Sequence, residues 1–590
     1  MNWQPERDPA SGVTPDAVPV FPGEPLRDPR LSGFTKDGMW DACPPSAALA
    51  AALEGASAGE WRCPGASRDE MLGLLRQWQA MEAWAAAGKL GVLRALIRDD
   101  DQPLPGGGYQ GDLPEGWTKA LTHEVALALS MPAVSADPLM WTAWNLQAML
   151  PGTGALLASG QLTMAKARAV EQALAQLTPD DAAAAEAMII PDLPGKTYGQ
   201  AQRLAVQAAI TVDPDSATRR RQHAEQDRCR VTMFREESGA AALSGRDLPT
   251  DQTLAAHASV CARAEEYKQS GGFPDDTRMD QFRVTAYLDL LNEIPAATRI
   301  ASGRLSTVTQ DPQTPGAVSD GEEPESGSTT PPPRLANLVL PLATLLGLAE
   351  RPGEGHALGP LDPDLCRSLA ACAADSPWSQ WCATITDPDG IAIGHGCAST
   401  ARHLKRNARP SVPPDNATTW SLPARANLTV TATQLARLTQ QPPGPLTPWR
   451  FTRVSDSGPP GGFGTWTLTL PDGRNLTVRL GPVPTSSCDH RHESHAYQPN
   501  DTLRHLVQVR DYECTFPTCS RHARESDFEH AVPYDQGGRT CACNAGARSR
   551  ACHQVKQSPG WTVTQPRPGW HQWETPAGRV YTQAPKRYPD

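Results

Sequence analysis

Between Tyr512 and Lys556 the chain concentrates Cys514, Cys519, Cys541, Cys543 and Cys552, with His530, His553 and the carboxylates Asp527 and Glu529 among them. Four residues separate Cys514 from Cys519, and Pro517 forces a turn between them. Two thiolates are thus presented at one point, half of a tetrahedral zinc site. Cys541, Cys543 and Cys552 are available for the other half. So short a segment buries little core, and a structural metal would help it fold. The alternative is a set of free thiols with no metal. From Asp527 to Pro533 polar and apolar residues alternate, which predicts a strand with Asp527 and Glu529 on one face. Glu529 and His530 then reach one site only if the strand ends there, and Pro533 with Gly537-Gly538 supplies that ending. A carboxylate can hold a hard divalent cation, and a neutral imidazole can take a proton from water near neutral pH. Residues 547–556 read as a short helix with Ser549, Cys552, His553 and Lys556 on neighbouring faces. Cys552 and His553 differ by ~100° around its axis. One can therefore face a structural zinc and the other a catalytic metal.

These residues need a scaffold, and the rest of the 590-residue chain supplies the candidates. The net charge of −11 taken whole argues against a general DNA-coating protein. It is unevenly distributed: residues 501–590 carry 12 Lys and Arg against 9 Asp and Glu. A basic tail on an acidic body suggests a nucleic-acid module attached to something else. Fourteen cysteines in this length exclude a disulfide scaffold. The longest apolar run, 335–349, is short of a membrane span. The opening MNWQPERDP lacks the basic and apolar regions of a secretion signal, so the expectation is a cytoplasmic protein with reduced cysteines.

Composition divides the chain further. Residues 1–66 are rich in Pro, Gly, Asp and Ala and are expected to be disordered. Residues 67–300 form a mainly α, Ala-rich domain opened by the capping-box spacing Ser67–Glu70. Its helices are expected at 67–97, 118–131, 137–150, 162–176, 179–189, 197–211, 250–268 and 278–293, with a short hairpin over 229–244. A disordered linker, 301–334, follows. Residues 335–500 are a small α/β segment with an irregular insert, in which 338–348 and 363–374 look helical and 381–386, 391–394, 427–431, 466–470 and 476–480 look like strands. The module occupies 501–558 and a Trp-rich hairpin 559–590. Trp561, Trp570 and Trp573 could stack on bases, but a hairpin packing its indoles on the module is preferred. Cys488 and His490 could bind metal, with an exposed polar loop as the favoured reading.

An acid–His strand end, then a loop with Asn544, then a helix with His553 resembles the HNH (ββα-metal) endonuclease motif. The resemblance implies that His530 is the general base, Asn544 its orienter through a hydrogen bond, and Glu529 and His553 the ligands of a catalytic divalent ion. That ion would be magnesium or manganese, with zinc as the other candidate. Lys556, Arg548 and Arg550 would contact nucleic acid, expected to be double-stranded DNA. Glu529 stands where the family commonly has Asp, which keeps the charge. Ser549 stands where the family has a zinc ligand. The structural zinc is therefore expected on Cys514, Cys519 and Cys552 with Cys543 or Cys541 as the fourth ligand. Residues 67–293, 338–370 and 497–523 together resemble the actinobacterial family called domain of unknown function 222, whose members commonly end in an HNH module. The expected function is metal-dependent phosphodiester hydrolysis. The alternative is a zinc-stabilised nucleic-acid-binding protein that does not cleave, with the helical domain as its functional part.

Overall fold

The computed structural model describes residues 29–100, 108–110, 112–306, 335–399, 422–440, 447–458 and 461–589. Most of the 301–334 linker, the first 28 residues and the insert at 400–421 lie outside these. The chain divides into two compact units. One holds the chain up to Thr118 and Asp137–Arg219, and the other holds Lys119–Ala136 and the chain from Arg220 onward.

The first unit is helical. Helix Arg68–Arg98 opens on the expected capping box: the Glu70 amide donates to Ser67 Oγ and the Ser67 amide donates to Glu70 Oε2, at 3.3 and 2.7 Å. The expectation of disorder before residue 67 is corrected for the described part. Ser46 caps a helix at Ala47–Ser57, and its Leu49 and Leu53 bury against Leu31, Phe34, Leu74 and Met81. The Ala-rich composition that reads as low complexity is here a helix propensity with an apolar face to bury. Between the helices expected at 137–150 and 162–176, Pro151-Gly152 is the first turn of a further helix, Pro151–Ala158, where proline is well tolerated. Glu186 accepts from the otherwise orphaned amides of Gly152 and Thr153 at 3.1 and 2.6 Å.

In the second unit, strands Arg230–Arg235 and Ala241–Arg246 form the expected antiparallel hairpin, followed by helices Thr250–Gln269 and Met279–Leu291. Among the described residues the largest sheet has nine strands. Its middle runs Asn475–Pro482, Ala392–Ser399, Gln380–Thr386, Ala424–Thr431, Ala336–Pro341. Residues 338–348 are thus not a helix. They give the end of a strand and a single helical turn, Leu342–Leu345. The strand pairs in parallel with Ala424–Thr431 and its last four residues are buried. A strand in that position reads as a continuous apolar run, which periodicity cannot tell from a buried helix.

The C-terminal module begins with helix Asp501–Asp511. Strand Asp527–His530 pairs antiparallel with Ala545–Arg548, and helix Arg550–Lys556 follows. A three-stranded sheet, Thr562–Arg567, Trp570–Glu574 and Val580–Gln583, closes the chain. Trp561 and Trp573 are buried with Phe516, Cys514, Cys552 and Val555, and the Trp573 indole donates to the Thr515 carbonyl at 2.8 Å. These two indoles are core, not a platform for bases. Among the described residues no helix is long and apolar enough to cross a membrane.

Candidate hydrolytic site and metal centres

Helix Asp501–Asp511 sets the hairpin in place. The fully buried Arg510 guanidinium donates to the carbonyls of Ala542 and Ala545 at 2.7 and 2.6 Å. Asp511 accepts from the Ala547 amide at 2.8 Å and from Arg510 Nε at 2.7 Å. The register then puts His530 opposite Ala545 and Glu529 opposite Gly546.

His530 is buried at the end of its strand. Its Nε2 lies 2.9 Å from Thr540 Oγ1, and the Thr540 hydroxyl is directed to the Tyr497 carbonyl at 3.4 Å. That chain places the ring proton on Nε2, donating to Thr540, and leaves Nδ1 as the basic nitrogen. The Tyr497 ring stacks on His530 at 5.5 Å. Burial lowers the His530 pKa; the Glu529 charge opposes this only in part. The ring is therefore neutral near pH 7.

Asp527 and Glu529 share one face, as the alternation predicts, and both meet His553. Asp527 Oδ2 lies 2.9 Å from His553 Nδ1, and Glu529 Oε2 lies 3.0 Å from His553 Nε2. The hydrogen bond to Glu529, and then that to Asp527, raises the His553 pKa. Burial would push the Glu529 carboxyl up, but His553 and Lys556 outweigh it and hold it at about 2.

Three expected roles change. Asn544 does not touch the His530 ring. Its side chain donates to the carbonyls of Val532 and Arg539 at 3.0 and 2.9 Å and accepts from the Val532 amide at 2.8 Å. It clamps the loop that follows His530, and Thr540 orients the ring instead. Lys556 points inward: Nζ is 2.7 Å from Glu529 Oε1 and also donates to the His530 carbonyl. Arg548 is wholly buried, donates to the His530 carbonyl at 3.1 Å and lies over the Trp573 ring. Neither presents its charge to a nucleic acid. Arg550, by contrast, is exposed, 3.2 Å from Asp527.

The thiols sort into separate groups. Cys514, Cys519 and Cys552 bring their Sγ atoms within 4.8 Å of one another. Cys541 and Cys543 are not with them. They join Cys488 and His490, with Cys541 Sγ 3.4 Å from Cys488 Sγ and 3.3 Å from His490 Nδ1. The expected fourth ligand of the first group is thus corrected, and Cys488-Asp489-His490 is not merely a polar loop. Beside the first group stands Ser549. Its Oγ is 3.6 Å from Cys519 Sγ and caps the helix by accepting from the Cys552 amide at 3.3 Å. In each group one thiol is held low by hydrogen bonds from its neighbours: Cys519 by Cys514 foremost, and Cys488 by Cys541. These Cys and His sets could hold a metal such as zinc. Cys488 and His490 carried a readable signal in their Cys-x-His spacing. Thr540 and Tyr497 carried none.

Residues 80–314 match the family model described as Domain of unknown function (DUF222). The segments 338–370 and 497–523 lie outside that match. No curated protein and no solved structure matches the chain.

Proposed function

We propose that the C-terminal module is a metal-dependent endonuclease of the HNH class, hydrolysing phosphodiester bonds in nucleic acid, with double-stranded DNA as the expected substrate. One observation carries this reading: a strand, a strand and a helix in succession hold the Glu529–His553 pair beside the strand that ends in His530. His530 Nδ1 accepts the proton of the attacking water, with Thr540 fixing the tautomer and Tyr497 the ring plane. Glu529 Oε2 and His553 Nε2 converge at 3.0 Å and would hold the catalytic ion. Asp527 on Nδ1 is the carboxylate that orients a metal-ligating histidine. A divalent ion bound there supplies positive charge to the scissile phosphate and its leaving oxygen. Arg550 is the exposed cation placed to meet a phosphate. Asn544 acts on the loop rather than on the reacting atoms, so it is a positioning residue. The two Cys-rich groups serve as structural zinc sites of a module with little core of its own.

The alternative is a zinc-stabilised protein that binds nucleic acid without cleaving it; the Cys-rich groups and the exposed Arg550 serve that reading as well. Plasmid nicking in magnesium or manganese, with and without chelator, separates the two. Metal-dependent conversion of supercoiled to nicked plasmid supports the enzyme. DNA retention on a gel shift with no nicking under either metal supports the binding protein.

A further inference from the structure

A further set of soft ligands lies in the nine-stranded sheet, outside the module hairpin. Cys382 and Cys397 are register partners on adjacent antiparallel strands, so their side chains share a face. His395 is two residues before Cys397 and projects to that same face. The ligand atoms of Cys382, His395 and Cys397 lie within 4.8 Å of one another. A fourth donor arrives from helix Asp501–Asp511. His505 Nε2 stands 3.1 Å from His395 Nε2 and 3.3 Å from Cys397 Sγ, and His395 Nε2 is 3.4 Å from Cys397 Sγ.

The three separations among His395 Nε2, Cys397 Sγ and His505 Nε2 are those of ligands around a shared centre, while His505 lies outside the set whose ligand atoms all fall within 4.8 Å of one another. Zinc bonds of ~2.0–2.3 Å in a tetrahedron place neighbouring donor atoms roughly 3.3–3.8 Å apart. The orientation of His395 agrees, whereas His505 Nδ1 accepts from Arg524 at 3.3 Å, so ligation through His505 Nε2 requires Arg524 to give way. Thr384 Oγ1 donates to Asn427 Oδ1 at 2.8 Å, so it accepts from His395 Nδ1 at 2.9 Å. His395 therefore carries its proton on Nδ1 and turns the Nε2 lone pair toward Cys397 and His505. A hydrogen-bonded outer nitrogen of this kind fixes the ring of a metal-ligating histidine. His395 and Cys382 are buried, and Cys397 opens to solvent, which gives an ion a way in.

We propose that Cys382, His395, Cys397 and His505 form a Cys2His2 site for zinc or a similar soft divalent ion. Its ligands come from two strands of the sheet and from the helix that leads into the module. The ion would therefore fasten that helix to the sheet. Arg510 and Asp511, one turn or more beyond His505, hold the hairpin that carries His530. The site is thus a staple for the catalytic hairpin, and its existence does not depend on whether the hairpin cleaves anything.

Metal content of the purified full-length chain, prepared with zinc, tests this. His505→Ala and Cys397→Ser should each lose one zinc equivalent relative to the unaltered chain and melt at lower temperature. His505→Cys keeps a donor and should retain the equivalent, which separates ligand loss from misfolding. After cobalt substitution, His505→Cys should also strengthen the thiolate-to-cobalt absorption. Full zinc content in His505→Ala, or loss of the same equivalent in His505→Cys, would overturn the proposal. So would an intact mass 2 Da light that maps to a Cys382–Cys397 disulfide, the mass of two hydrogens lost on oxidation.

Discussion

The helical unit and the C-terminal module differ in what their buried ionisable groups meet. In the helical unit they meet backbone amides or neutral side chains, as Glu171 accepts from Asn145 at 2.6 Å. Glu186 takes the first amides of helix Pro151–Ala158, and Ser67 and Glu70 cap helix Arg68–Arg98. Such contacts complete a helix and leave no reactive group over. In the module, side chains answer one another. Asp527, His553, Glu529 and Lys556 form a chain of charges on one strand and one helix, and thiols answer thiols. Gathering like ligands and buried charges costs desolvation that a purely structural hairpin would not incur. The difference teaches where to look for chemistry: not at burial of polar groups as such, but at buried polar groups whose partners are other ionisable side chains.

The comparison can be broken at several points, in descending order of effect. Combined Cys519→Ser and Cys541→Ser should abolish the module's cooperative melting, because structural zinc is worth ~10–16 kcal/mol in small domains. The helical unit should melt as before by calorimetry. A single lost transition covering both would show that the thiols are not confined to stabilising the module. Glu529→Ala leaves Lys556 buried and unpaired, a change that costs about 3–5 kcal/mol when one partner of a buried pair goes. Hydrogen exchange of the module's amides across a urea series reads this directly. Gly538→Ala should cost about 1–3 kcal/mol, since a Cβ there would stand 1.9 Å from the Val532 carbonyl oxygen and 2.8 Å from Asn544 Nδ2. It should also slow cleavage by loosening the Asn544 clamp. Ser67→Ala should cost ~1 kcal/mol in the helical unit and leave plasmid cleavage unchanged.

Much of this was legible in the residues. The Ser67–Glu70 spacing marked a real helix start, and the strand alternation correctly set Asp527 and Glu529 on one face. Cys514 and Cys519 could be grouped from their spacing and the turn at Pro517, and Cys552 joined them only through the resemblance to the HNH motif. Cys541 and Cys543 could not be assigned, because their partners Cys488 and His490 lie some fifty residues upstream and only the tertiary fold joins them. Lys556 and Arg548 read as surface cations because Lys and Arg are seldom buried unless paired. What buries them is Glu529 together with the His530 carbonyl, across the hairpin. Likewise the run at 338–348 shows its apolar content in sequence but not the sheet that surrounds it.

In the proposed mechanism His530 is the base of the hydrolytic site. The most direct test is the single-turnover nicking rate of supercoiled plasmid in manganese, comparing the full chain with His530→Ala. The expected rate is ~10²–10⁴-fold lower in the variant, with manganese binding retained and the melting temperature little changed. Equal rates in the two proteins, or no cleavage by the unaltered chain in either manganese or magnesium, would contradict it.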